Sequence, residues 1–378
     1  MKVIILGAGL VGRAMALDLA RDKELKVYVA DINQTRLNQL KIEGLLTYTQ
    51  DLSQKDKLQE LIADKDLVLN AMPGFLGYQT LKTCLESGKS VVDIAFFPED
   101  PFSLNTLALE KGVTAVVDCG VAPGLSHILA TYGLSHLDRG DSLTIYVGGL
   151  PVVRQWPFEY KAVFSPSDLI EEYVRPARLR ENGRLVFKPA LSEPELVEVE
   201  GLGTLEAFNT DGLRTLLRTL NIPDMKEKTL RYPGHREKML ILKEAGFFSS
   251  EPVEFKGQSI KPVEFTNHLL FSKLILGPGE EDITILKVLL TGEKEGRKVQ
   301  LTYELLDRYD RKNGIHSMAR TTGYTATMVI RAISLGLISE RGIIPPEFLG
   351  KKPEVFSFIR HGLEERGITI KEKIENLS

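Results

Sequence analysis

Six residues near the start of the chain, Gly7-Ala8-Gly9-Leu10-Val11-Gly12, have the types and spacing of a turn that holds a pyrophosphate. Gly7 permits the tight turn, Gly9 lets the backbone approach phosphate oxygens, and Gly12 lets helix and strand pack closely. Leu10 and Val11 complete the loop, and the amides and dipole of the following helix face the phosphates. Asp31 lies 19 positions past Gly12, where a carboxylate meets the ribose 2′-hydroxyl of an adenosine. A carboxylate there repels a 2′-phosphate, which favours NAD over NADP. Its bland alternative is a turn residue at a strand end. Arg36 is better spaced for the next helix than for a phosphate. Asp51 has two readings, an adenine contact or a helix N-cap.

These residues need strand–turn–helix units to position them, and the sequence supplies such units in series. Met1–Leu6 is a β-branched apolar run, and Arg13–Ala20 reads as a helix. Lys26–Ala30, Leu45–Thr49, Asp66–Ala71, Ser90–Ile94 and Thr114–Val117 read as further strands. Helical stretches at 51–62, Phe75–Glu86 and Ser103–Lys111 lie between them. This alternation predicts an α/β fold with a doubly wound parallel Rossmann sheet. Right-handed crossovers bring Ala71-Met72-Pro73, Asp93 and Asp118 to the carboxyl edge beside the glycine turn. Ala71, Met72 and Pro73 are then expected to contact the cofactor.

Beyond Val121 the pattern changes. A helix is expected over Leu125–Leu137, then strands over Ser142–Val147, Tyr160–Phe164, Leu196–Val199 and Thr204–Phe208. A helix is expected from Asp211 to Leu220 and another over Lys238–Ala245. Ile283–Leu290 and Lys298–Leu305 flank Glu293-Lys294-Glu295-Gly296 as a hairpin. This is an inserted α+β domain, distinct from the first. Ser317–Leu335 is a long helix with small residues, suited to pack back on the first sheet. The expected division is 1–125 for the NAD-binding domain, 126–316 for the inserted domain and 317–378 for C-terminal helices, with Gly342–Glu347 as a link between them.

Composition bounds the function. The 378 residues are 43% hydrophobic and 26% charged, with a formal net charge of −3. This offers no basic field for nucleic acid or anionic lipid. Lys2 followed by apolar residues imitates a signal peptide, but three glycines, Arg13 and Asp18 interrupt the run. Without a run of about 18 apolar residues no membrane span is expected. The two cysteines, Cys84 and Cys119, are isolated, which suits a reducing compartment and argues against a zinc site. A cytoplasmic enzyme without a metal is the expectation.

The ordered motifs are similar to those of the saccharopine dehydrogenase superfamily, most closely its lysine 6-dehydrogenase branch. They are Gly7–Gly12, Gly120-Val121-Ala122-Pro123-Gly124-Leu125, Tyr146-Val147-Gly148-Gly149-Leu150-Pro151, Glu206-Ala207-Phe208, Asp211-Gly212-Leu213, Thr229-Leu230-Arg231-Tyr232-Pro233-Gly234-His235, Met318-Ala319-Arg320 and Arg341–Glu347. The resemblance spans nearly the whole chain. It implies NAD-dependent oxidative deamination of L-lysine at its ε-carbon, giving 2-aminoadipate 6-semialdehyde, which cyclises to a piperideine carboxylate. It also implies that the inserted domain is the substrate and dimerisation domain of a homodimer. Saccharopine reductases carry a tyrosine where this chain has Ala95-Phe96-Phe97, and an aspartate where it has Ala122. Their Pro-Asn-Arg-Asp segment, whose arginine holds the larger substrate, is matched here by Asn209-Thr210-Asp211-Gly212.

Such chemistry needs a neutral amine, and free lysine titrates near ~10.4. Asp118 is the first candidate to orient or deprotonate the ammonium; its alternative is a cap for the helix after Pro123-Gly124. His235 is the second candidate. An α-carboxylate calls for a guanidinium, from Arg231 first, then Arg214, with Arg320 at the long helix. Asp93 is a further substrate candidate, and Tyr160, Tyr173 and Trp156 are candidates to line a slot for methylenes. His127 reads as packing. Two function classes stand: an amine dehydrogenase, with saccharopine or carboxynorspermidine reduction as variants, and an NAD(H)-binding metabolite sensor without turnover.

Overall fold

The computed structural model describes residues 1–162, 166–277 and 279–377, with 166–168 as backbone only. The chain forms two compact units, Met1–Ser135 with Ala319–Ile370, and His136–Met318 with Lys371–Ser378. The first boundary falls after the helix Leu125–Leu134 rather than at 125. Among the described residues no helix is long and apolar enough to cross a membrane.

The first unit is built on a seven-stranded parallel sheet. Its order is Gly342–Ile344, Thr114–Val116, Ser90–Asp93, Leu67–Asn70, Lys2–Leu6, Lys26–Asp31, Leu46–Thr49. Val3 to Leu6 and Leu67 to Asn70 are buried throughout, as strands covered on both faces must be. The order in which successive strands are added reverses between Lys2–Leu6 and Leu67–Asn70, the switch point at which such sheets bind ligands. Gly342–Ile344 was expected as a link and is instead the seventh strand, paired with Thr114–Val116. Three residues are too few to show a period, and the pairing partner lies far away in sequence.

Behind the sheet edge, Leu10–Leu19 is pinned at its far end by a buried ion cluster. Asp18 accepts from Thr327 Oγ1 at 2.6 Å, Arg331 Nη1 at 2.6 Å and Arg366 Nε at 2.7 Å. Arg331 also pairs with Asp22 at 2.7 Å. Four ionised groups on three helical segments are thereby neutralised together.

The second unit is built on a nine-stranded sheet in the order Glu195–Val199, Gly203–Asn209, Asp224–Arg231, Arg139–Pro151, Asp282–Lys294, Arg297–Arg308, Lys371–Asn376. Ala177–Glu181 and Arg184–Lys188 join it beside Asp224–Arg231. Pairing is antiparallel except between Asp224–Arg231 and Arg139–Pro151. The hairpin expected near residue 295 turns on Glu295-Gly296, both at positive φ. Several local expectations shrink or change. The helix expected from Asp211 is Leu216–Thr219 only. The strand expected over Tyr160–Phe164 is a single bridge at Ala162, and its end at Phe164 lies outside the described residues. The tail expected to stay helical through Leu377 ends in the exposed edge strand Lys371–Asn376. With Ile374 as its one apolar side chain, that segment follows its hydrogen-bond partner rather than a periodicity.

The Asp18 cluster gives a test of the first unit. Its arginines outweigh burial and hold the Asp18 carboxyl below the ordinary 3.8. The stability this contributes is therefore present above about pH 3.8 and is lost as pH falls through the lower folded value. Asp18→Asn leaves two buried guanidiniums short of an anion and should cost about 3–5 kcal/mol at pH 7. Chemical denaturation at pH 7 and pH 3 should show the variant's deficit shrinking in acid; equal stability at pH 7 would mean the cluster is not holding the helix.

Candidate functional site

The cofactor candidates collect at one edge of the first unit. Gly7 has φ +107, and a Cβ there would stand 2.7 Å from the Ala71 carbonyl oxygen; at Gly12 it would stand 2.0 Å from the Gly7 oxygen. Neither position admits a side chain. A Cβ at Gly9 would meet nothing within 4 Å, so the space in front of the loop is open. Leu10, Val11 and Gly12 open the helix, whose first amides have no intrahelical acceptor. Asp31 closes the turn from the neighbouring strand: its Oδ2 accepts the Ala8 amide at 2.6 Å and its Oδ1 the Asn33 amide at 2.7 Å. Each carboxylate oxygen has a second lone pair for a ribose hydroxyl. Ala71, Met72 and Pro73 are half-buried, and Ala71 stands against Gly7. An open, amide-lined cradle beside a fixed carboxylate fits a dinucleotide.

Asp51 does not join this group. It is partly exposed and turns inward on its own loop, accepting from Ser53 N, Ser53 Oγ and Gln54 Nε2. Those bonds hold its carboxyl below the usual range. Of its two readings the local turn is the one the structure builds.

Asp93 and Asp118 stand on adjacent strand ends, as topology required, but they differ in kind. Asp93 is fully buried, accepting from Asn70 Nδ2 at 2.8 Å and the Ala95 amide at 2.7 Å. It ties two strand ends together and is withdrawn as a substrate contact. Asp118 is 2% exposed with φ +50, a left-handed conformation that costs a non-glycine residue energy. Its capping alternative fails: the helix Leu125–Leu134 takes no side-chain cap, because Gly120, Val121 and Gly124 carbonyls accept its first amides.

In the second unit, four sequence candidates form one buried cluster. His235 begins the helix His235–Glu244, Arg231 ends the strand Asp224–Arg231, and Tyr173 lies on the helix Pro166–Val174. His235 bonds to the Phe158 carbonyl through Nδ1 at 2.7 Å and to the Tyr173 hydroxyl through Nε2 at 2.8 Å. Burial and the nearby Arg231 push its pKa down to about 3. Both ring nitrogens are committed and the ring is neutral, so His235 is not the acid–base group expected of it.

Arg231 is 1% exposed, and its guanidinium already meets a carboxylate, Glu172 Oε2, at 2.9 Å. It is thereby corrected from substrate anchor to internal ion pair. Tyr160 and Tyr173 do not wall an apolar slot; the Tyr160 ring lies 4.5 Å beneath the guanidinium carbon, and burial raises both phenols. Trp156 is 82% exposed and is also withdrawn from that slot. His127 is buried, with Nδ1 3.6 Å from Glu347, as its packing role required.

Arg214 is the second arginine candidate in this unit. It is buried and its backbone is left-handed at φ +47. Beside it Arg178 forks Asp211 at 2.8 and 2.9 Å. Three carboxylates escaped sequence reasoning in their roles: Glu172, Asp211 and Glu227. Glu227 is buried and accepts from Thr210 Oγ1 at 2.6 Å. Burial, with Glu172 and Asp211 nearby, pushes its pKa up to about 8. The signal that could have revealed it is charge inside a central strand, where Glu227, Lys228 and Arg231 are all buried. Arg320 in the first unit donates to the Arg366 carbonyl. Among the described residues no group of His, Cys, Asp and Glu is placed to hold a metal ion.

Known proteins share this arrangement. The family model described as the saccharopine dehydrogenase NADP binding domain matches residues 3–116, and that described as the saccharopine dehydrogenase C-terminal domain matches residues 120–368. Mitochondrial alpha-aminoadipic semialdehyde synthase of Bos taurus is 24% identical over 91% of this chain, which spans 45% of that protein's length. Saccharopine dehydrogenase (NADP(+), L-glutamate-forming) of Saccharomyces cerevisiae is 22% identical, over 98% of this chain and 99% of its own. The structure of an apo saccharopine dehydrogenase (L-Glu forming) from Saccharomyces cerevisiae matches with a TM-score of 0.81 at 20% identity over 99% of both chains, which shows the shared fold. With both domain models matched in order along the sequence, the chain belongs to the saccharopine dehydrogenase family of oxidoreductases.

Proposed function

We propose that this chain oxidises the ε-carbon of L-lysine with NAD, releasing ammonia and 2-aminoadipate 6-semialdehyde. The observation that carries this reading is the segment Asn209–Gly212. In the resemblance drawn above, saccharopine reductases hold their larger substrate with an arginine here. This chain has Thr210 and Asp211, which bond to Glu227 and Arg178 instead. A second, glutamate-derived carboxylate therefore has no arginine from this segment.

NAD when bound accepts the hydride from the carbon that bears the amine. The chain's own residues prepare that carbon. Asp118 orients the ε-ammonium and takes its proton, because only the neutral amine can push the hydride out. Loss of hydride from the neutral amine leaves an iminium ion, and water adds to it to give the aldehyde and expel ammonia as ammonium. Asp31 supports NAD over NADP, since its charge opposes a 2′-phosphate. The alternative cofactor keeps support from the NADP-binding description of the matching family model.

Saccharopine oxidation is the second reading, favoured by the yeast relative that matches over almost its whole length. A homodimer formed through the second unit belongs to the same proposal.

Three outcomes follow. NAD reduction at alkaline pH should proceed with L-lysine and be weak with saccharopine or carboxynorspermidine; saccharopine as the better substrate would reverse the two readings. Asp31→Ala should raise KM for NAD by about tenfold and narrow the preference over NADP, each lost charge-assisted bond being worth about 1.5–3 kcal/mol. An unchanged NAD/NADP ratio would remove Asp31 from ribose recognition. Asp118→Asn should lower kcat by about 10²-fold or more with NAD binding retained; full turnover in that variant would assign the proton to another group.

A further inference from the structure

One outer edge of the second sheet is built in two pieces. Met225 pairs with Leu143 on one side and Arg180 on the other, and Lys228 pairs with Tyr146 and Asn209. Ala177–Glu181 and Gly203–Asn209 therefore lie end to end along the same side of Asp224–Arg231, with Arg184–Lys188 and Glu195–Val199 outside them. Among the described residues neither outer strand has a strand partner on its far side. Such an edge is a template for another strand, and proteins shield it with charge, proline or a covering segment. This edge instead carries Leu185 at 54%, Phe187 at 65% and Leu196 at 70% exposure.

Arg184–Lys188 is the piece whose open groups can be assigned one by one. It follows Ala177–Glu181 through a tight turn at Asn182-Gly183, both at positive φ, which pairs Glu181 with Arg184. Arg180 pairs with Met225, and the Arg178 amide donates to Asp211 Oδ1 at 3.2 Å. These two residues thus turn their backbones away from Arg184–Lys188. Ala177, Leu179 and Glu181 then bond to Lys188, Val186 and Arg184, because backbone orientation alternates along a strand. The amides and carbonyls of Leu185 and Phe187 are left facing the open side. Their side chains share one face of the strand, and Arg184, Val186 and Lys188 share the other.

We infer that a second copy of the chain docks on this edge, by antiparallel pairing of Arg184–Lys188 with itself about a two-fold axis through Val186. The segment reads basic, Leu, Val, Phe, basic, and so matches itself when reversed. The axis sets Leu185 opposite Phe187 of the second copy, and these are the residues whose backbone groups face outward to be exchanged. It also gathers the exposed leucines and phenylalanines of both copies on one face as cross-strand pairs. On the other face, Arg184 of the second copy comes opposite Lys188, a cation already flanked by the two anions Glu181 and Glu193. An arriving cation balances that group. A foreign strand would require no such self-complementarity, whereas a closed two-fold pair requires it. The assignment rests on the homodimer reading above and names its surface.

A cysteine on the axis reports the pairing directly. Val186 spends its backbone groups on its own hairpin, so it would face its copy as a non-hydrogen-bonded pair, with Cα atoms about 4.5 Å apart and within disulfide reach. Val186→Cys should therefore link two intact chains on mild oxidation, and Leu185→Cys should not; the native Cys84 and Cys119 are buried. Sedimentation velocity supplies the second readout. Leu185→Lys with Phe187→Lys sets like charges across the axis and should weaken the dimer by about 100-fold. Leu185→Glu with Phe187→Lys sets opposite charges at the same positions and should restore it to within about tenfold of wild type. Both positions are exposed, and far-UV circular dichroism checks that each variant folds. A dimer that ignores the like-charge substitutions, or that leaves Val186→Cys unlinked, overturns this surface and keeps the homodimer. A wild type that stays monomeric at about 100 μM overturns both, and leaves the edge to an extended segment of another protein.

Discussion

The first unit depends on how closely the helix Leu10–Leu19 lies against the sheet. A Cβ at Gly12 would sit 2.0 Å from the Gly7 oxygen, so any side chain there would push the helix away from the switch point. Asp31 draws the turn in from the next strand through the Ala8 amide, and Asp18 anchors the helix's other end through Thr327, Arg331 and Arg366. The helix is thus held at both ends by buried carboxylates, and its start is left to face the phosphates. Cofactor geometry and fold stability are the same constraint in this unit.

The second unit is organised by charge in places where stability alone would favour carbon. Glu227, Lys228 and Arg231 are buried along one central strand, and each has a named partner. Lys228 reaches Glu195 at 2.7 Å, and Glu195 also accepts from Tyr146 at 3.1 Å. Unpaired, any of these would cost several kcal/mol, on the order of a large share of a domain's net stability. His235 belongs to this scheme as a fixed dipole. It contributes orientation, and its pKa, pushed down to about 3 by burial and Arg231, keeps the ring neutral at ordinary pH.

What was legible in the sequence was local. The glycine turn, the strand–helix alternation and the two-residue hairpin at Glu295-Gly296 are written in neighbouring residues, and they appear in the structure where local chemistry put them. Asp224–Arg231 was not legible as a strand, because Lys226, Glu227, Lys228 and Arg231 hide its alternation. Only the pairing with Gly203–Asn209 and Arg139–Pro151 reveals it. Gly342–Ile344 and Lys371–Asn376 were missed for the same reason, since their partners lie far off in sequence. Motif resemblance drew attention to Arg231 and His235, and they do meet. It could not show that each would already be occupied, because Glu172 and Phe158 carry no motif of their own. The backbone carbonyls of Gly120, Val121 and Gly124 that accept the first amides of Leu125–Leu134 had no signal in the sequence either.

The central claim is that hydride leaves the ε-carbon of lysine for NAD. L-lysine doubly deuterated at that carbon tests it in one measurement. Incubated with the enzyme and NAD, it should yield NADH carrying one deuterium on the nicotinamide ring and an aldehyde retaining the other, at a rate slower than with unlabelled lysine. NADH that forms without deuterium would place the oxidation at another carbon, and no NADH at all, with saccharopine active, would contradict lysine as the substrate.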